Sequence, residues 1–113
     1  MNITAEQFQT IHTEAFDAAQ TAAKKSFAEE LYSYDNFPCG FSWVEVYGVK
    51  LNTKLGKAMA AVGFEKSYSK GIVLWNPSRF PCKNVDTLYA ASNAYAEVLK
   101  KYGIEACANF RWD

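Results

Sequence analysis

Apolar residues recur at spacings of three to five along the first third of the chain, as they do on one face of an α-helix. They are Phe8, Ile11, Ala15, Ala19, Ala22, Phe27 and Leu31. Thr4 and Gln7 have the spacing of a capping box, and Ile3 and Phe8 have that of a hydrophobic staple, so the helix should begin at Thr4. About 28 residues would form a rod of about 42 Å, against a width of roughly 35 Å for a compact domain of this length. We therefore expect the helix to overhang, to bend, or to contact a second subunit.

The rest of the chain alternates between strand-like and helix-like patterns. The predicted strands cover residues 41–47, 64–69, 72–76 and 104–112, and the predicted helices cover 53–62 and 86–103. Gly63 and Gly103 each follow a helix and have apolar residues at the two positions that close a Schellman motif. Both helices therefore lead directly into a strand, which indicates two β-α-β halves.

These elements predict one α+β domain over residues 1–113, with an N-terminal helix in 1–34 and an α+β unit in 37–113. Right-handed crossovers and a central hairpin favour a ferredoxin-like β-α-β-β-α-β sandwich. Its antiparallel sheet would have the strand order 4-1-3-2, with both crossover helices on one face.

Strand alternation assigns the residues of the sheet to two faces. The face toward the crossover helices should carry Val44, Val46, Ile72, Leu74, Ile104, Ala106, Ala108 and Phe110. The other face should carry Trp43, Glu45, Tyr47, Val73, Trp75, Cys107, Asn109 and Arg111. Because large exposed apolar patches are uncommon on monomers, we expect the alanine-rich first helix to cover this second face. The alternatives are an open platform of Trp43, Tyr47 and Trp75 that stacks nucleic-acid bases, and dimerisation through the helix.

The same topology brings polar residues together at one end of the sheet, beside the start of the last helix. They are Asn76, Ser78, Arg79, Lys83, Arg111 and Asp113, with Cys39 and Cys82 nearby. A helix N-terminus supported by basic side chains can bind a phosphate or carboxylate. The alternative is that Arg111 pairs with Asp113 and that Lys83 is solvated.

Composition narrows the classes of function. Twelve basic and twelve acidic residues cancel, which argues against non-specific binding of duplex nucleic acid. The three cysteines lack metal or redox spacing, and thiol catalysis at Cys39 would need a base, for which His12 on the first helix is the only histidine. We expect His12 to be a packing residue, with no metal and no cofactor bound. The polar N-terminus and the lack of a long apolar run predict an intracellular protein without membrane contact.

Several short segments form a distinctive set: residues 38–44 (P-C-G-F-S-W-V), 75–78, 95–99, 103–104 and the terminal 111–113 (R-W-D). They resemble a family of small proteins of unknown function encoded by tailed bacteriophages. The resemblance covers about residues 37–113 and implies a viral protein in a bacterial cytoplasm, without supplying an activity. We expect a non-enzymatic accessory protein that binds a host or viral protein, as a homo-oligomer through the first helix. The alternative is a protein that binds a nucleotide or single-stranded nucleic acid on the aromatic sheet face.

Overall fold

The structure is a computed structural model that describes residues 3–30, 40–67, 71–80 and 85–112. Within these ranges the helices are α1 (Ala5–Glu30), α2 (Lys54–Ala61) and α3 (Val85–Lys101). The strands of the same ranges are β1 (Gly40–Val46), β2 (Glu65–Lys66), β3 (Ile72–Trp75) and β4 (Ala106–Trp112). The predicted α+β class, with a long N-terminal helix before an antiparallel sheet, is confirmed. No helix in the described ranges is long and apolar enough to cross a membrane.

The capping box at the start of α1 forms as predicted. The Thr4 amide donates to Gln7 Oε1 at 2.9 Å, and the Gln7 amide donates to Thr4 Oγ1 at 3.1 Å. Two backbone donors that the helix leaves without partners are thereby satisfied.

Both predicted Schellman motifs are also present. After α2, the Phe64 amide donates to the Met59 carbonyl at 3.1 Å, and Gly63 has a φ of 118°. After α3, the Ile104 amide donates to the Leu99 carbonyl at 3.0 Å, and Gly103 has a φ of 85°. Each motif ends a helix and places an apolar residue, Phe64 or Ile104, in the core.

The four strands form one antiparallel sheet in the order β2-β3-β1-β4, which reads 4-1-3-2 when counted from the β4 edge. In the register, Trp43 lies opposite Trp75 and Asn109, and Val44 lies opposite Leu74. β2 begins one residue later than the predicted 64–69 strand, because Phe64 is buried as part of the helix stop, and Ser67 already lies outside it. Residues 68–70 lie outside the described part of the chain.

The N-terminal helix packs on the helical side of the sheet. α1 runs along α3 and also contacts α2, while α3 contacts β1 and β4. The contact uses Ala15, Ala19 and Ala23, which are fully buried and small enough for two helices to approach closely. The expectation that α1 covers the second sheet face is therefore wrong.

The reason lies in α3, whose apolar surface is wide enough to contact the sheet and a second helix. Tyr95 is fully buried on α3, and its ring lies near those of Phe64 and His12. Phe8, near the start of α1, is also fully buried and packs edge-on against Phe64 at 6.4 Å between ring centroids. The apolar stripe of α1 is thus buried within the helical layer.

The molecule is elongated, with principal extents of 46 × 27 × 19 Å. The 26 residues of α1 are about 39 Å long at 1.5 Å per residue, so the helix fits along the longest dimension. The predicted width of roughly 35 Å assumed a more spherical domain.

Candidate functional site

The sheet face opposite the helices is the main candidate for a binding surface. No helix in the described ranges packs on it, and it carries a pair of tryptophans from neighbouring strands. The rings of Trp43 and Trp75 are tilted by 44° with their centroids 4.7 Å apart. Trp43 is half-buried, whereas 44% of the Trp75 surface remains exposed. Such an aromatic pair offers both apolar area and a defined shape to a ligand.

A groove of about 420 Å³ runs across this face. It is lined by Trp43, Glu45, Glu65, Lys66, Ser67, Val73, Trp75 and Arg111. Val73 is buried in the groove, and four charged side chains also line it. We call this surface the aromatic face; it is formed by Phe41, Trp43, Glu45, Tyr47, Val73, Trp75, Cys107, Asn109 and Arg111.

Glu45 lies at the centre of the aromatic face and accepts hydrogen bonds from three neighbours. Trp43 Nε1 donates to Oε1 at 2.9 Å, the Tyr47 hydroxyl donates to Oε2 at 2.6 Å, and Asn109 Nδ2 donates to Oε1 at 3.3 Å. The carboxylate therefore fixes the orientation of side chains on two strands. The hydrogen bond between the Tyr47 hydroxyl and Glu45 raises the pKa of Tyr47 well above the usual range, and the Cys107 thiol, 3.7 Å from that hydroxyl, adds to the effect.

Arg111 places a cation at the edge of the tryptophan pair. Its guanidinium carbon lies 5.4 Å from the centre of the Phe41 ring, within the range of a cation–π contact. Both side chains are exposed. Sequence reasoning missed Phe41, although its position two residues before Trp43 puts it on the same face.

The predicted anion site at the end of β3 forms a turn that satisfies its own polar groups. Ser78 is fully buried; its hydroxyl donates to Asn76 Oδ1 and accepts from the Phe80 amide, both at 3.2 Å. Asn76 and Arg79 have φ values of 43° and 55°, as the tight turn requires. Gln20 on α1 donates to the Ser78 carbonyl at 3.1 Å. These contacts attach the turn to the helical layer.

The two described arginines of that predicted site lie in different places. Arg79 donates to the Val62 carbonyl at 3.5 Å and lines a pocket with His12 on the helical side. Arg111 instead lines the groove of the aromatic face. The structure therefore does not bring Arg79 and Arg111 together. Lys83, Asp113, Cys39 and Cys82 lie outside the described residues.

His12 forms a polar contact within the core between α1 and α3. Its Nδ1 is 2.7 Å from the Tyr95 hydroxyl, and its ring contacts Phe8 and Phe16. Burial, together with the nearby Arg79 charge, lowers the pKa of His12. Burial also raises the pKa of Tyr95 above its usual range. This environment favours neutral forms of both groups.

Two polar groups of the aromatic face already have partners within it. Glu45 is engaged by three donors, and the free Cys107 thiol is half-buried between Tyr47 and Asn109. Within the described ranges, no three His, Cys, Asp or Glu side chains are grouped to hold a metal ion. The face offers a pair of aromatic rings in contact, one arginine and a groove.

Comparisons with protein-family models, with curated proteins and with solved structures found no match to this chain. The fold and the site thus define its class by themselves. It is an α+β domain with a helical layer on one side of its sheet and an aromatic surface on the other.

Proposed function

We propose that this chain is a non-enzymatic accessory protein of a tailed bacteriophage, and that it binds a host or viral protein through the aromatic face. The observation that carries the binding proposal is the tryptophan pair on a sheet face without a helix over it. The phage assignment rests on the sequence segments described above, and it implies action in the bacterial cytoplasm.

The residue types on the aromatic face are those that dominate the energetics of protein interfaces. Tryptophan, tyrosine and arginine are enriched among residues whose truncation weakens complexes most, because they combine large apolar area with a polar group. Trp75 and Arg111 are exposed beside the groove, and Tyr47 is held in place by Glu45. This arrangement suits a partner side chain that enters the groove while a carboxylate approaches Arg111.

The charges on the face favour a protein over a polyanion. Arg111 and Lys66 are balanced by Glu45 and Glu65 around the same groove. A carboxylate at the centre of the face would repel a phosphate backbone, whose binding depends on neutralisation by basic groups. A protein surface with mixed charges meets no such penalty.

Capture from an extract of the host bacterium tests the proposal, with wild type, Trp75→Ala and Tyr102→Ala compared by quantitative mass spectrometry. Tyr102 is a matched control, since it is 42% exposed, against 44% for Trp75, and lies at the end of α3 away from the groove. We expect a defined host protein to be retained by wild type and by Tyr102→Ala. Loss of a central tryptophan typically costs 2 kcal/mol or more, or about 30-fold in affinity.

The retained protein is then purified, and its affinity for wild type and for each of the two variants is measured by calorimetry. Equal affinities for wild type and Trp75→Ala would contradict the proposal. Circular dichroism must first show that each variant is folded.

The second candidate function is binding of a nucleotide or single-stranded nucleic acid on the same face. It is favoured by the tilted pair of Trp43 and Trp75 with Arg111 lining the same groove, because bases stack on exposed aromatic rings. In a Trp112→Phe variant, Trp43 and Trp75 are the remaining tryptophans. Fluorescence of that variant at low salt should stay constant when oligonucleotides or nucleotides are added, if the partner is a protein. Saturable quenching would support the second candidate.

We also propose that the α+β unit has the ferredoxin-like arrangement. The antiparallel order and the repeated strand-helix-strand pattern support this. Homo-oligomerisation remains part of the proposal, although the apolar stripe of α1 is already packed against α3.

A further inference from the structure

The two edges of the sheet differ in how they are protected from pairing with another strand. β2 has two residues, Glu65 and Lys66, and short charged edges resist strand addition. β4 has seven residues, Ala106–Trp112, without lysine or proline, and β1 is its only strand neighbour in the described sheet. A long edge of this kind is a template for a further strand.

The register shows which backbone groups of β4 point outward. The Tyr47 amide donates to the Glu105 carbonyl at 3.0 Å, so these two residues face each other as a hydrogen-bonded pair. In an antiparallel ladder such pairs alternate with non-hydrogen-bonded ones, so the odd-numbered residues of β4 bond to β1. The outward N–H and C=O groups belong to Ala106, Ala108, Phe110 and Trp112.

We propose that β4 pairs in antiparallel fashion with β4 of a second copy of this chain, about a twofold axis at Asn109. The two four-stranded sheets would then form one continuous sheet of eight strands. This register is the one that pairs all four outward-facing residues, because they lie symmetrically about Asn109. Shifting the axis to a neighbouring residue leaves at least one of them unpaired.

Side-chain size on the helical side of β4 fits this symmetry. Ala108 would lie opposite Phe110 of the second copy, and Ala106 would lie opposite Trp112 of the second copy. Phe110 and Trp112 are 41% and 58% exposed in the single chain, so they have apolar surface to bury. A small residue opposite a large one on both sides of the axis makes the edge complementary to itself, which favours a second copy over an unrelated strand.

Charge on the other side of β4 is also compatible with the axis at Asn109. Arg111 would lie opposite Cys107 of the second copy, and Asn109 would lie opposite itself. An axis at Arg111 would instead bring two like charges together, which is destabilising across strands. The dimer leaves Trp43 and Trp75 outside the new contact, while Asn109 and Arg111 of the aromatic face lie at its border.

Light scattering coupled to size exclusion tests the dimer through Ala108→Pro. Proline removes an outward-facing N–H but no hydrogen bond to β1, and edge strands tolerate it at such positions. We expect wild type to have twice the 12.7 kDa chain mass. We expect the dissociation constant of the variant to rise about tenfold or more, since the symmetric interface loses two hydrogen bonds. Circular dichroism confirms that the variant is folded.

Asn109→Cys tests the register and does not depend on how Ala108→Pro folds. Directly opposed Cβ atoms in a non-hydrogen-bonded pair are about 4.5–5.5 Å apart, close to disulfide geometry. The variant should form a disulfide-linked dimer under mild oxidation faster than wild type and faster than Asn93→Cys, a control at an exposed position on α3. A monomeric wild type at about 100 µM would overturn the proposal, as would a folded Ala108→Pro that dimerises like wild type or cross-linking no faster than the controls.

Discussion

Replacing Gly56 by alanine should stabilise the protein by helix propensity but destabilise it by the close approach of neighbouring backbone atoms. It is a buried residue in the first turn of α2, and its amide donates to Thr53 Oγ1 at 3.0 Å. A Cβ atom added there would lie 2.0 Å from the Lys50 carbonyl oxygen and 2.7 Å from the Leu51 Cα. These are backbone atoms of the turn that leads from β1 into the helix, so a side-chain rotation cannot relieve the contact.

The Lys50 carbonyl has little freedom to move away. It accepts from the Thr53 amide at 3.1 Å and from the Thr53 hydroxyl at 2.6 Å. Alanine at position 56 gains about 1 kcal/mol of helix propensity. Overpacking costs about 1–3 kcal/mol, and each of the two strained hydrogen bonds contributes about 1 kcal/mol. The net expectation is that Gly56→Ala lowers the free energy of unfolding by about 2–4 kcal/mol.

Urea denaturation followed by circular dichroism measures this difference. Ala60→Gly is the matched control, because Ala60 is exposed on the same helix and its replacement should cost about 1 kcal/mol by propensity alone. A Gly56→Ala variant more stable than wild type would refute the reasoning. It would mean that the turn at 50–53 does not pack against α2 as described.

Three further predictions concern His12, Tyr47 and the end of α3. The pKa of His12 is lower in the folded protein than in the unfolded chain. The free energy of unfolding should therefore fall as the pH drops through about 6.5, because the unfolded side chain then takes up a proton that the folded one does not. His12→Gln should flatten this pH dependence in urea titrations at several pH values. Glu45→Gln should lower the pKa of Tyr47 toward about 10, measured by tyrosinate absorbance; an unchanged titration would contradict the assigned hydrogen bond. Gly103→Ala should cost about 1 kcal/mol in urea denaturation, because a φ of 85° is strained for alanine although space is open there.

Local patterns predicted the parts of the fold whose causes lie within a few residues. Thr4 and Gln7 form the expected capping box, and Gly63 and Gly103 end their helices as expected. Strand alternation also placed Trp43 and Trp75 on the same face of the sheet, where the structure pairs them. Each of these features depends only on the two-residue alternation of a strand or on the spacing of a few neighbouring residues.

The position of α1 could not be read from the chain, because its alanine stripe is compatible with either layer. A smooth apolar face can lie on a sheet or along a helix, and the choice depends on the width of the apolar surface of α3, including Tyr95. The separation of Arg79 and Arg111 could not be predicted for a related reason. Topology placed both at one end of the sheet, and strand alternation put Arg111 on the aromatic face. No periodicity assigns a side to Arg79, which lies in the turn after β3.

Accessibility of the tryptophan pair tests the central claim most directly. In the Trp112→Phe variant, Trp43 and Trp75 are the only tryptophans, and both belong to the aromatic face. Acrylamide should quench their emission efficiently in the isolated protein, and addition of the captured partner should protect them. Emission that is already shielded from acrylamide in the isolated protein would contradict the claim that this sheet face is open for binding.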